Sequence, residues 1–79
     1  MNFEKHIPLN EFVRKKRKSL KMTQVEMSEK SGVGLRFVRE LERGKETLKM
    51  DKVNQVLSLF GYELGPVVSE RNIDTDEEG

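Results

Sequence analysis

The sequence of 79 residues lacks cysteine and tryptophan and has one histidine, His6. Without cysteine, the chain has no disulfide, no thiolate metal site and no cysteine nucleophile. The histidine has no acid or base at a useful spacing, and no glycine-rich phosphate loop or metal-ligand spacing occurs. We therefore expect no enzymatic activity, no metal and no cofactor.

Long apolar runs are also missing. No stretch is long enough to span a bilayer, and no apolar signal-peptide core follows Met1. A chain of this length predicts one small domain with a thin core, which favours oligomerisation as an additional source of stability. The sequence therefore predicts a cytoplasmic protein that associates with a second copy and has no membrane partner.

The net charge of +1 conceals an uneven distribution. Residues 67–79 contain one basic and five acidic residues, which leaves a net charge of +5 on residues 1–66. A basic body with an acidic end is typical of a domain that binds a polyanion. Small soluble domains often carry such an excess, so charge alone leaves both interpretations open.

The first two predicted helices are marked by their ends. Pro8 suits the start of a helix over residues 9–18, because its missing N–H costs little there. Thr23, with a glutamate three residues later, forms a capping box that starts the second helix, and Gly32 ends it. The apolar residues expected to face inward are Leu9, Phe12, Val13, Val25 and Met27.

Two further helices follow the same logic. The third is predicted over residues 35–43 and the fourth over residues 48–60, each ended by a glycine. Thr47 is the predicted cap of the fourth helix. The residues expected to face inward are Val38, Leu41, Met50, Val53, Val56, Leu57 and Phe60.

After the fourth helix the pattern changes to alternation. Tyr62 and Leu64 alternate with polar or small neighbours, which predicts a short strand over residues 62–68. A single strand is not stable alone. Since the chain offers no second strand, the predicted partner is the same strand of another copy. The residues assigned to this dimer contact are Tyr62, Leu64 and Val67.

The stretch "MTQVEMSEKSGVGLRFVRELERGK" places two predicted helices on either side of a glycine turn, which is the helix-turn-helix arrangement. Its Thr23-Gln24 start, Gly32-Val33 turn and Glu42-Arg43-Gly44 ending resemble the Xre (lambda-repressor-like) helix-turn-helix family. The resemblance implies an all-α bundle of four to five helices over residues 9–61, with a short C-terminal strand for dimer pairing. Residues 1–8 are predicted to be a flexible arm and residues 69–79 a disordered acidic tail.

In this family the second helix of the motif lies in the DNA major groove. The resemblance places Leu35 and Arg36 at the leading base-reading positions, where arginine can grip guanine O6 and N7. Leu35 is assigned to a thymine methyl or to packing against the turn, and Arg39 to a base or a phosphate. Glu40 is assigned to cytosine N4 or to an ion pair with Arg36.

Other residues are assigned to the phosphates or to the core. The resemblance implies phosphate contacts from Gln24, Arg43, Lys45 and Thr47. The run "RKKRK" over residues 14–18 is either a solvated helix face or a surface from which Arg14 and Arg17 flank the phosphates. Glu42 is interpreted as a structural acid paired with Arg14 or Arg17, and Phe37 as a core residue. Two departures from the family pattern are Gly34, where a serine or threonine cap is usual, and Met27-Ser28, where a Leu-Ala pair is usual.

Within the family, "RFVRELERGK", "KMDKVNQVLSLFGYEL" and the following strand are similar to small HipB-type antitoxins. This similarity implies a bacterial, nucleoid-associated homodimer that represses its own operon from a two-fold double-stranded DNA operator. It also implies a HipA-like kinase toxin as a partner. The alternative is a protein-interaction module that mainly neutralises the toxin, through its fourth helix and tail, with little specific DNA binding.

Overall fold

The computed structural model describes residues 7–69, and this part of the chain forms four helices and no strand. The predicted all-α bundle is confirmed, and each helix begins and ends within about two residues of its predicted bounds. Residues 1–6, with His6, and residues 70–79 lie outside the described part, and so do most of the predicted arm and tail. The helices are α1 (Leu9–Ser19), α2 (Gln24–Ser31), α3 (Leu35–Arg43) and α4 (Met50–Ser58).

The ends of α2 and α3 follow from the local sequence. Thr23 Oγ1 accepts a hydrogen bond from the Glu26 N–H at 3.0 Å, and the Glu26 carboxylate accepts one from the Thr23 N–H at 2.8 Å, so the predicted capping box is confirmed. Gly32 and Gly44 end the two helices at φ angles of 85° and 92°, which glycine adopts most readily. Gly34 starts α3 without any side-chain cap.

The core lies where α3 packs against α1 and α2, and where α4 packs against α2. Seven of the predicted inward residues are buried, together with Val33 of the turn. Phe37 is partly buried against this core, in agreement with its predicted place. The confirmed core residues are Val13, Met27, Val38, Leu41, Val53, Val56 and Leu57.

The predictions that Val25 and Met50 face inward are wrong, and so is the prediction that Thr47 caps α4. Val25 is 48% exposed, because it lies about 200° around the helix from Met27 and only one of the two can face the core. Met50 is 70% exposed, because it is the first residue of α4 and its side chain lines an open groove. The residue that precedes α4 is Lys49, and no side chain caps the helix, so Thr47 is not its cap.

The segment after α4 turns back along the bundle. The Tyr62 ring packs edge-on against Phe12, with 4.8 Å between the ring centroids, and the Leu64 N–H donates to Asn54 Oδ1 at 2.7 Å. Within residues 62–69 the chain forms no strand with the rest of the described part. The predicted pairing with a second copy therefore stays a prediction. None of the helices between residues 7 and 69 is long and apolar enough to cross a membrane.

Candidate nucleic-acid interface

The buried Glu42 carboxylate joins three helices. It is 4% exposed and accepts hydrogen bonds from Arg17 Nε at 2.7 Å and Arg17 Nη2 at 3.0 Å. Gln24 Nε2 donates to the same carboxylate at 3.1 Å, and Arg14 Nη1 donates to the Glu42 backbone carbonyl at 3.1 Å. The structural role predicted for Glu42 is confirmed, with Arg17 as its ion-pair partner. Side chains of α1 and α2 thereby hold the end of α3 in place.

Both members of this pair are charged near neutral pH. Burial raises the pKa of Glu42, but hydrogen bonds from Arg17 and Gln24, and the charges of Arg17 and Arg14, outweigh burial and lower it. The hydrogen bond to Glu42 raises the pKa of Arg17 against an opposing effect of desolvation. The brace between the helices is therefore an ion pair with a directed, two-bond geometry.

The Arg17–Glu42 pair lines a polar cleft of about 370 Å³. Its other lining residues are Gln24 and three arginines, Arg14 on α1 and Arg39 and Arg43 on α3. Since Glu42 neutralises Arg17, the three remaining guanidinium groups give the cleft an excess of positive charge. A cleft with several guanidinium donors suits a phosphate oxygen. Arg14 and Arg17, which were considered together for the phosphates, both line this cleft, but Arg17 is paired with Glu42.

The outward face of α3 carries a second Arg–Glu pair. Arg36 Nε lies 3.4 Å from Glu40 Oε2, so the predicted ion pair at i,i+4 is confirmed. Lys45 Nζ lies 3.6 Å from the other carboxylate oxygen, Glu40 Oε1. The Arg36 side chain is 89% exposed, which leaves its guanidinium group accessible to a ligand.

The predicted DNA-contact residues differ in exposure. Arg36, Arg39, Arg43, Lys45 and Thr47 are exposed on α3 or on the loop after it, and Leu35 and Glu40 are half-buried. Gln24 donates a hydrogen bond from its amide nitrogen to the Glu42 carboxylate and also lines the arginine cleft. Within residues 7–69, no group of histidine, aspartate and glutamate residues could hold a metal ion.

Comparisons with known proteins identify the family of the chain. A family model described as "Helix-turn-helix" matches residues 13–67. An uncharacterized HTH-type transcriptional regulator, y4mF, from Sinorhizobium fredii (strain NBRC 101917 / NGR234) is 47% identical over 49 residues. The alignment covers 62% of this chain and 64% of that protein, so the chain spans somewhat less than two thirds of the relative's length. No solved structure matches the chain significantly.

The matched family is one of DNA-binding regulators and is not an enzyme family. The match includes all of α2, the Gly32 turn and α3, and it covers more than half of the chain. The chain therefore belongs to the Xre-like helix-turn-helix family.

Proposed function

We propose that this protein is a DNA-binding transcriptional regulator, and more specifically a homodimeric repressor that autoregulates its operon as a HipB-like antitoxin. The observation that carries the proposal is the position of α3, whose basic outer face is exposed while its inner end is held by the Arg17–Glu42 brace. A helix presented rigidly in this way fits the major groove. Two copies would then contact half-sites about 34 Å apart on a two-fold operator.

Base recognition is assigned to the start of α3. Arg36 is the strongest candidate, because its exposed guanidinium group can donate two hydrogen bonds to guanine O6 and N7. Leu35 lies beside it and is half-buried, which supports either of its two assigned roles, contact with a thymine methyl or packing against the turn.

Phosphate binding is assigned to the arginine cleft and to the loop after α3. Arg14, Arg39, Arg43 and Gln24 surround one polar cleft, which would hold a backbone phosphate on the flank of the major groove. Lys45 and Thr47 extend this surface along the loop. Binding through these cations would release counterions and would weaken steeply as salt increases.

Dimerisation is assigned to residues 62–68. Val67 and Val68 are largely exposed apolar side chains, which supports a role for this segment in contact with a second copy. Leu64 is half-buried against its own chain and hydrogen-bonded to Asn54, so it would position the segment, while Val67 would supply new buried area. Tyr62, which packs on Phe12, would link this contact to α1.

The antitoxin role and a HipA-like kinase toxin as partner are supported by the resemblance of α3, α4 and the following segment to HipB-type proteins. The exposed Met50, Val67 and Val68 give the chain apolar surface apart from the outer face of α3, which favours a protein contact in addition to DNA. The alternative function is therefore a module that binds the toxin and has little specific affinity for DNA.

The decisive experiment is a fluorescence-anisotropy titration with DNA from upstream of the protein's own gene and with scrambled DNA. Wild type and Arg36→Ala are compared at roughly 50 and 200 mM salt. We expect wild type to prefer the upstream DNA, to bind more weakly at the higher salt, and to lose its preference when Arg36 is replaced. Equal, weak binding to both DNAs, together with co-purification of the neighbouring gene's product, would support the alternative function.

The dimer is tested separately by deletion of residues 62–68 and sedimentation analysis. The shortened chain is expected to be monomeric while wild type is dimeric. Val67→Asp is a milder variant, which should weaken the dimer without removing the bond between Leu64 and Asn54. A deletion variant that remains dimeric would refute the assignment of this segment.

A further inference from the structure

Glu40 is held between two cations of the proposed DNA surface. One carboxylate oxygen lies 3.4 Å from Arg36 Nε, and the other lies 3.6 Å from Lys45 Nζ. The Lys45 N–H also donates to the Glu40 backbone carbonyl at 3.1 Å, so backbone and side chain join the same two residues. Glu40 therefore connects Arg36, which is assigned to a base, with Lys45, which is assigned to the phosphates.

The geometry of the Arg36 contact leaves the guanidinium end available. Glu40 engages Nε, and the two terminal nitrogens, Nη1 and Nη2, have no partner within residues 7–69. These two nitrogens are the pair that can meet guanine O6 and N7 together. An arginine held at Nε has fewer side-chain conformations to lose on binding than a free arginine.

The same contact reduces the attraction of these cations for the DNA backbone. A carboxylate beside Arg36 and Lys45 offsets part of their charge and is itself repelled by phosphates. The carboxylate therefore lowers the affinity for every DNA sequence, whereas the orientation of Arg36 raises the affinity only where a guanine is present. Together, the two effects increase the specificity of binding.

We infer that Glu40 is a positioning and specificity-determining residue, which orients Arg36 toward guanine and lowers the affinity of the domain for non-operator DNA. The inference rests on the proposed function, because it requires Arg36 to meet base edges. It replaces the direct contact of Glu40 with cytosine N4, since both oxygens of the carboxylate are already beside cations.

The test begins with a pool of randomised DNA duplexes, from which the full chain selects its preferred sequence, so that the operator need not be known. Anisotropy titrations then use the selected duplex, the same duplex with each G·C pair changed to A·T, and a version with 7-deazaguanine, which lacks the N7 acceptor. The variants are Glu40→Ala, Glu40→Gln, Arg36→Ala and the double variant Arg36→Ala/Glu40→Ala. Glu11→Gln is the matched control, because Glu11 forms a similar i,i+4 pair with Lys15 at 3.4 Å on α1.

We expect Glu40→Ala to lower the preference for guanine at the Arg36 position by at least about threefold, the scale of coupling between side chains in contact. Affinity for non-operator DNA should rise, and the salt dependence should steepen by about one unit of slope. Glu40→Gln, which keeps an acceptor oxygen but loses the charge, should raise non-operator affinity with a smaller loss of guanine preference. Glu11→Gln should leave the guanine preference unchanged.

In the Arg36→Ala background, Glu40→Ala should have no further effect on guanine preference. A loss of cytosine preference that persists without Arg36 would overturn the inference and identify Glu40 as a direct base reader. An unchanged guanine preference in Glu40→Ala would overturn it as well. Wild type that selects no sequence at all would refute the proposed function itself, which separates that failure from the failure of the inference.

Discussion

Helix α3 contributes a glutamate to each of two Arg–Glu pairs, one facing the other helices and one facing outward, and the two pairs differ in length, exposure and sequence separation. The inner pair joins Arg17 to Glu42 at 2.7 Å, with both side chains nearly buried and with one further hydrogen bond from Gln24. The outer pair joins Arg36 to Glu40 at 3.4 Å, and Arg36 is almost fully exposed. The inner pair connects distant parts of the chain, whereas the outer pair is local, four residues apart.

The two pairs separate the contribution of α3 to stability from its contribution to binding. A buried ion pair is strongly destabilising to break, because removal of one partner leaves a charge in a poorly solvated place. An exposed pair adds little to stability, because water and salt screen it. Substitutions of the inner pair should therefore lower the stability of the fold. Substitutions of the outer pair should change DNA binding and leave the stability nearly unchanged.

The largest expected effect is that of Arg17→Ala. The variant leaves the buried Glu42 carboxylate with hydrogen bonds but without its counter-ion, and we expect a loss of about 3–5 kcal/mol in the free energy of unfolding. Urea unfolding followed by circular dichroism measures the loss. Lys18→Ala, one residue further along α1 and exposed, is the control. A loss of less than about 1 kcal/mol would show that the inner pair does not hold the bundle together.

Acid should weaken the inner pair without any substitution. The pKa of Glu42 is lower in the folded chain than in the unfolded chain, so the stabilisation is complete above the unfolded-state pKa. It is lost as the pH falls through the folded-state pKa. We expect an NMR titration of the Glu42 carboxyl carbon to give a pKa below the ordinary glutamate value. The free energy of unfolding should fall over the same pH range, and a raised pKa of Glu42 would contradict the prediction.

Arg36→Ala should leave the fold intact. Because the outer pair is solvated, we expect the free energy of unfolding to change by less than about 0.5 kcal/mol. The same urea titration is the measurement, so that any loss of DNA binding in this variant can be separated from unfolding. A loss comparable with that of Arg17→Ala would remove the distinction between the two faces.

At the start of α3 we expect a small gain in stability when Gly34 is replaced. Gly34 has the extended backbone of a capping residue, with φ at −71°, and open space where a Cβ would lie. Gly34→Ser should therefore supply the missing cap and raise the free energy of unfolding by a few tenths of a kcal/mol. The shift in urea midpoint is the measurement, with Thr23→Gly as the opposite change at the cap of α2. A decrease in stability would show that the serine hydroxyl does not reach the backbone of α3.

Much of the fold was predictable because its signals are local. The capping box of Thr23, the left-handed glycines Gly32 and Gly44, and the helical spacing of Val53, Val56 and Leu57 all act within one or two turns of the chain. Such features depend on neighbouring residues, and the sequence displays those neighbours directly. The pair of Arg36 with Glu40 belongs to the same class, since a helix brings residues four apart together.

The errors lie where packing between elements decides. Helical spacing places Val25 and Met27 on different sides of α2, but it does not show which of them faces the core, nor that Met50 lies beyond the edge of the core. Lys21 adopts a left-handed φ of 56°, which the connection between α1 and α2 imposes against the ordinary preference of lysine. The exposure of Val25 and Met50 depends on which surfaces the other helices cover. The conformation of Lys21 depends on the turn that joins α1 to α2.

The helices, their order, their glycine stops and the basic character of α3 follow from the sequence alone, because propensity, capping and periodicity are properties of adjacent residues. The pairing of the Glu42 carboxylate with Arg17 rather than Arg14, and the cleft lined by Arg14, Arg39 and Arg43, result from the packing of the helices. These residues come from helices far apart in the chain. Their distances are set by the angle at which α1, α2 and α3 pack, and no local pattern encodes that angle.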